Sequence, residues 1–273
     1  MSQELVIEAG RSEHQYWKDL WHYRELFLIL TWRDVAVQYK QTVVGVLWAV
    51  LRPLLTMAAF TFVFAKVAKL PSEGAAPYPL MVFTAMLPWQ LFSSALASSA
   101  NSLVANSNLV AKVYFPRIIV PAATMGVALT DFVISFVLLS AMMFWYQYLP
   151  PVQFFAVIPL TVLAALVALG PGLILCALNV TYRDFRIIVP FITQFGLYLS
   201  PVGFSSGIVP EKWRLLYECN PMVGVIDGFR WAVLGSIAFP QRAMLISVGC
   251  ALVFLICGIK VFRQAERTFA DVI

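Results

Sequence analysis

The sequence predicts an all-α integral membrane protein: about six transmembrane helices, an N-terminal amphipathic interfacial helix before them, and a re-entrant helical segment before the last span. Three observations predict it. Charged residues make up only 12% of the chain and hydrophobic residues 61%, about half the charge of an ordinary soluble domain, and the mean hydropathy is +0.82. Apolar runs of about the 20 residues needed to cross a bilayer recur along the chain. Basic residues collect in alternate loops, as the positive-inside rule requires of a polytopic protein.

The elements follow in order. Residues 1–42 form a cytoplasmic and interfacial segment. It lacks the apolar core and cleavage site of a signal peptide, so the first membrane helix is expected to stay and serve as the address. Within it Trp17, Leu20, Trp21 and Leu28 share one helical face, with Lys18, Asp19, His22 and Glu25 on the others. That pattern fits a helix lying in the headgroup layer or one docked on its own protein. Six spans are expected over 43–262, at 43–65, 78–100, 118–146, 154–180, 187–204 and 244–262, with a cytoplasmic tail over 263–273. Between the last two spans, 222–234 is apolar and aromatic but too short to cross, which predicts a re-entrant helix covered by protein. Placing both termini and the second and fourth loops in the cytoplasm puts twelve of the 19 basic residues there and six on the other side, with Arg52 inside a span. No internal repeat divides the chain, which reads as one membrane domain over 1–273.

Composition and motifs exclude several chemistries. The net charge of +5 reflects topology in so apolar a chain and not nucleic-acid binding. The sequence contains no GxxxxGK[ST] phosphate loop, no HExxH helix and no GxSxG elbow. Its four cysteines have no CxxC spacing or metal-ligand pattern, and three of them fall in apolar spans. No carboxylate pair has a spacing suited to acid–base work on a sugar. The chain therefore reads as a transport subunit and not an enzyme. A membrane glycosyltransferase would need acidic motifs and a soluble domain. An ion-coupled carrier usually shows several intramembrane acids, whereas here Asp131 stands alone in its span. Asp131 either pairs with Arg52, lines a pathway or sits shallow. Arg52 either faces a cavity or marks the true start of the first span.

Two kinds of residue remain. Phe191, Phe195, Tyr198 and Phe204 place rings at roughly helical spacing in the fifth span, where they either pack the core or line a path along which sugar faces slide. The loops VYFPR at 113–117 and NVTYRDFR at 179–186 are short, charged and aromatic, suited to a groove on a soluble partner or to anchoring at the membrane surface.

At these loops the sequence resembles the ABC-2 type polysaccharide-exporter permeases. The run from WRD at 32–34 through YKQTVVGVLWAVLRPL at 39–54, then VYFPR, NVTYRDFR, YLSPVGF at 198–204, VPEKW at 209–213, NPM at 220–222 and GFR at 228–230 occur in family order, and the O-antigen exporter branch is the most similar. Arg52 departs from the glutamine expected there in many relatives. The resemblance implies a homodimer in the bacterial inner membrane, with both termini cytoplasmic, working with two copies of a separate ABC ATPase that binds the ATP and Mg; this chain itself has no cofactor. It implies export of an undecaprenyl-linked polysaccharide of the O-antigen type, with teichoic acid, capsule or a small hydrophobic compound as alternatives. By the same resemblance, Tyr114, Phe115, Arg117, Tyr182, Arg183 and Asp184 couple to the ATPase. Arg33, Lys40 and Lys112 either attract the lipid pyrophosphate at the cytoplasmic mouth or serve the positive-inside rule alone. Trp213, Asn220, Pro221 and Arg230 belong to a periplasmic gate, and Phe191, Phe195, Tyr198 and Phe204 remain the candidates for lining the channel, with core packing as the alternative.

Overall fold

A computed structural model describes residues 13–40, 43–182, 184–266 and 269, and every regular element among them is helical. In chain order these are α1 (Glu13–His22), α2 (Arg24–Lys40), α3 (Val43–Phe60, continued by a π-helical turn, Thr61–Val67), α4 (Tyr78–Ala105) and α5 (Ser107–Lys112). Then come α6 (Ile119–Ala123), α7 (Met125–Trp145), α8 (Val157–Thr181), α9 (Phe185–Leu199), α10 (Glu211–Glu218), α11 (Pro221–Leu234) and α12 (Gln241–Glu266). Among the described residues five stretches are long and apolar enough to cross a membrane: Leu47–Val67, Tyr78–Ala105, Ile119–Trp145, Val152–Thr181 and Gln241–Glu266.

The expected fifth span, 187–204, is present as a shorter apolar helix with other bounds: Phe185–Leu199, 15 residues long, about 22 Å at 1.5 Å per residue. It stops where it does because Ser200 precedes Pro201 and takes an extended backbone (φ −103, ψ 152), as residues before proline prefer. At the place expected for a re-entrant helix stands α11, a buried helix. Asn220 caps its start, its side chain accepting from the Met222 N–H at 3.0 Å, with Pro221 in the first turn where a missing N–H costs nothing. Gly235 ends it in the left-handed conformation at φ 61, which only glycine adopts without strain.

Helix α4 is the hub. Every residue from Leu80 to Trp89 is buried, and it packs on α7, α8 and α11. Helices α8 and α12 cross at backbone contact: a Cβ on Gly258 would lie 2.4 Å from the Gly170 carbonyl oxygen. Without side chains at the crossing, van der Waals contact between the backbones replaces the hydrophobic drive that lipid cannot supply. Helix α11 is clamped onto α12 by the Ser247 hydroxyl, which donates to the Pro221 carbonyl at 2.6 Å. By contrast α3 buries only Pro53 among its described side chains, and α9 only Val189. Those two helices present their apolar faces outward.

A second, smaller core gathers at the end of the bundle where α1 lies and α12 finishes. Here Tyr16, Leu20, Tyr23, Leu26 and Phe27 pack against Phe115, Ile118, Phe262 and Phe269. The expected N-terminal apolar face therefore divides. Leu20 turns to the protein, while Trp17 and Trp21 stay exposed at 48% and 71%, and Leu28 belongs to α2 beyond a break at Tyr23. The helix is docked on one side and offers its indoles on another, where a headgroup layer would take them.

Candidate functional site

An apolar cavity of about 740 Å³ opens between α4, α8, α9, α12 and the α10–α11 hairpin. Phe191 and Phe195, one turn apart on α9, bring their ring centroids to 4.2 Å and line it together with Trp89, Phe92, Trp213, Leu216, Asn220 and Pro221. Helix α9 approaches α4 through Gly196, where a Cβ would meet the Trp89 ring at 2.6 Å. Two of the four expected channel aromatics and three of the four expected gate residues thus share one site. Tyr198 does not line it and is exposed on α9. Phe204 lies outside it, packed between Phe64 at 6.5 Å and Tyr217 at 6.4 Å. Asn220 serves α11 as its cap and also donates from Nδ2 to the Ser200 hydroxyl at 3.0 Å.

Arg230, the fourth expected gate residue, is wholly buried beneath the hairpin. Its Nη1 donates to Glu73 Oε1 at 3.1 Å and to the Phe204 carbonyl at 3.0 Å, and its Nη2 donates to the Val202 carbonyl at 3.3 Å. Asp227, one turn earlier on α11, faces the same guanidinium at 4.0 Å. Burial pushes the Asp227 carboxyl up to about 6, with Arg230 and Ser206 pulling the other way and Glu73 and Glu218 adding to the rise. Sequence reading missed Glu73 and Asp227, although an acid three residues before an arginine inside the apolar run 222–234 is a visible signal of a buried pair.

Helix α4 carries a second feature that sequence reading missed. Gln90, Ser94, Ser98 and Asn101 recur at helical spacing and are half-buried, forming a polar stripe beside the face on which α9 packs through Phe92, Leu96, Ala97 and Ala100. Asn101 is held in place by donating to the Ala97 carbonyl at 2.9 Å and accepting from Asn179 at 3.1 Å. The signal was the Ser- and Asn-rich run over 93–108.

At the end where α1 lies and α12 finishes, the expected coupling residues separate by role. Tyr114 and Tyr182 are exposed at 52% and 59%, and Asp184, two residues after Tyr182, is exposed too; Arg183 lies outside the described residues. Phe115 is buried in the second core. Arg117 is tied down: its backbone N–H donates to Glu266 Oε1 and its Nη1 to the Glu266 carbonyl, both at 2.8 Å. The Tyr16 hydroxyl donates to the other Glu266 oxygen at 3.2 Å. Burial next to Glu266 pushes the Tyr16 phenol well above its ordinary value, so it remains a donor at any physiological pH. One glutamate thereby joins α1, the loop before α6 and the end of α12.

Of the expected pyrophosphate-attracting residues, Arg33 is engaged by Asp34 at 2.7 Å and by Asn106 Oδ1 at 2.7 Å. Lys112 is exposed at the end of α5, and the Lys40 side chain lies outside the described residues. The possible pairing of Asp131 with Arg52 is not formed. Asp131 accepts from the Tyr39 hydroxyl and from Gln38 Nε2 at 3.1 Å, while Arg52 is exposed on α3. The acid thus fastens α2 to α7. Among the described residues no group of three or more histidines, cysteines or acids could hold a metal.

The ABC-2 type transporter family matches residues 25–234. Several curated proteins are similar over nearly their whole length. An O-antigen export system permease protein RfbA of Myxococcus xanthus is 28% identical over 259 residues, 93% of this chain and 97% of its own. One of the same name from Klebsiella pneumoniae is 25% identical over 251 residues, covering 91% and 95%. A capsule polysaccharide export inner-membrane protein CtrC of Neisseria meningitidis is 23% identical, covering 92% and 95%.

Proposed function

Since the chain belongs to the ABC-2 type transporter family, we propose that it is the membrane-spanning subunit of an exporter that moves a lipid-linked polysaccharide across the bacterial inner membrane, driven by a separate ATPase chain. The observation that carries this reading is the likeness, end to end, to permeases named for O-antigen and capsule export. The sequence has no phosphate loop, which fits a motor on another polypeptide.

In this reading two subunits meet and two ATPases dock on the side of the termini, which the positive-inside rule assigns to the cytoplasm. Tyr114, Tyr182 and Asp184, together with Arg183, form the surface the motor pushes. Phe115 and Arg117 brace that surface from behind. Lys112, Lys40 and Arg33 supply positive charge near the mouth for the substrate's pyrophosphate. The polymer path runs along α9 and α4. Phe191 and Phe195 offer apolar ring faces to the C–H faces of sugars, and Gln90, Ser94, Ser98 and Asn101 offer hydrogen bonds to hydroxyls that lipid would leave unsatisfied. The α10–α11 hairpin, with Trp213, Asn220 and Pro221 over the cavity and Arg230 beneath, closes the far end.

The test is where the polymer accumulates when the chain is deleted. Polysaccharide retained inside the cell, still on its lipid carrier and absent from the surface, is the expected result. Normal surface glycan would overturn the reading in favour of a small hydrophobic cargo. The likeness to CtrC favours capsule as the second cargo, and the chemistry of the retained polymer separates it from O-antigen or teichoic acid.

A further inference from the structure

The polar cluster beneath the hairpin has an imbalance that its surroundings do not cure. Arg230 is fully buried and Glu73 and Asp227 are almost so, which places two carboxylates around one guanidinium out of reach of water. Glu73 Oε2, Asp227 Oδ1, Arg230 Nε and the Tyr217 hydroxyl are all buried without a hydrogen-bond partner among the described residues. A third acid, Glu218, stands on α10 but has Arg242 Nε at 3.1 Å. The remaining polar groups turned toward this cluster are the Tyr78 hydroxyl, which donates to the Gly203 carbonyl, and Ser206. A buried charge without a counter-charge is strongly unfavourable, and two like charges near one partner favour protonation of one of them.

The same cluster is mechanical. Arg230 joins three segments at one point: the loop after α3 through Glu73, the segment after α9 through the Val202 and Phe204 carbonyls, and the hairpin that carries it. The loop is shaped for this. Gly74, at φ 60, turns the chain against Ser236, whose Cβ lies 3.0 Å from where a Gly74 Cβ would be, and so sets Glu73 inward. Lifting the hairpin breaks all of these bonds at once and brings Asp227 to water.

We propose that Glu73, Asp227 and Arg230 form a proton-responsive latch: a proton held on Asp227, beside the Glu73–Arg230 pair, keeps the α10–α11 hairpin seated, and its loss releases the hairpin. The sign follows from linkage. Seated, Asp227 binds a proton more tightly than it does in water, so acid favours the seated state and rising pH favours release. With Asp227 shifted to about 6 when seated and ordinary when released, the seated-to-released ratio falls roughly tenfold between pH 5 and pH 7. Arg230 and Asp227 act here as positioning residues; neither touches the polymer. The consequence for export rests on the reading of the hairpin as the closure of the path.

The test uses the full-length protein in proteoliposomes, its native cysteines replaced and Met222 changed to Cys. Met222 lines the cavity at the start of α11 and is only 1% exposed, so a water-soluble maleimide reaches it only when the hairpin lifts. Labelling at each pH is normalised to the denatured protein, which removes the titration of the thiol itself. The expected result is a roughly tenfold rise in normalised labelling from pH 5 to pH 7. Asp227→Asn is expected to hold labelling low at both values. Glu73→Gln, which leaves one carboxylate for one guanidinium, should likewise flatten the pH profile, and it stands in if the asparagine variant does not fold. A flat profile in the parent, or an unchanged tenfold rise in a monodisperse variant, overturns the latch. Ion leakage from the same vesicles separates the two ideas: labelling that follows pH without any change in leakage keeps the latch and overturns the hairpin's role in closing the path.

Discussion

Arg117 and Tyr182 sit in adjacent cytoplasmic-type loops and look alike in sequence, yet the fold gives them different work. Arg117 spends its donors on Glu266, whereas the Tyr182 ring is more than half exposed. Removing the guanidinium in Arg117→Ala gives up a charge-assisted hydrogen bond worth about 2 kcal/mol; the protein in detergent should therefore melt at lower temperature, and thermal unfolding monitored by fluorescence measures this. Tyr182→Ala should leave melting unchanged and reduce co-purification of the ATPase. Equal melting of both variants would remove the distinction. The side-chain types in these loops were legible from the sequence. Which of them faces inward was not, because Glu266 lies 149 residues from Arg117 and nothing local records the pairing. The same limit hid the Glu73 and Arg230 pair, 157 residues apart. It also left open the partner of Asp131, which proved to be Tyr39 and Gln38 on α2.

At the scale of helices, local chemistry was far more informative. Asn220, Pro221 and Gly235 mark both ends of α11 by mechanisms that operate within four residues, so its existence and limits could be read from the chain. The fifth span was overextended because apolar character continues past Leu199, while the break depends on the backbone of Ser200 ahead of Pro201. Asn220→Ala should cost about 1 kcal/mol through loss of the cap, and more than that in thermal stability if its bond to Ser200 also holds the segment after α9. Crossings between helices are set by small residues whose partners the sequence does not name. Gly258→Val would drive a branched side chain into the Gly170 carbonyl at 2.4 Å and should cost at least about 3 kcal/mol, seen as loss of monodisperse protein. Gly249, on the same helix with nothing within 4 Å of an added Cβ, provides the control: Gly249→Val should purify normally. Similar loss in both would mean that the crossing is not the cause.

For the whole molecule, the apolar surface is distributed in a way that a single subunit in lipid does not explain. Helix α4 is almost entirely enclosed, but beside its α9-bearing face it keeps a half-buried stripe of glutamine, serine and asparagine, flanked by a helix whose own residues are largely exposed. Lipid would satisfy none of those amides and hydroxyls, so in the proposed reading the stripe faces the polymer path together with the rings of α9. Such a path has a direction, which we propose from the charge distribution. The exposed Tyr182 and Lys112 lie at the end where α12 finishes, Cys219 at the end with the hairpin. Excess Lys and Arg in the loops at the first end leads us to propose that end as the cytoplasmic one. In intact spheroplasts a membrane-impermeant maleimide should therefore modify Cys219 when the other native cysteines are replaced. A single cysteine placed by Tyr182→Cys should react only after the membrane is opened. The reverse pattern would invert the molecule, setting the proposed motor-facing loops outside the cell, where no ATP reaches them, and would overturn the export reading with them.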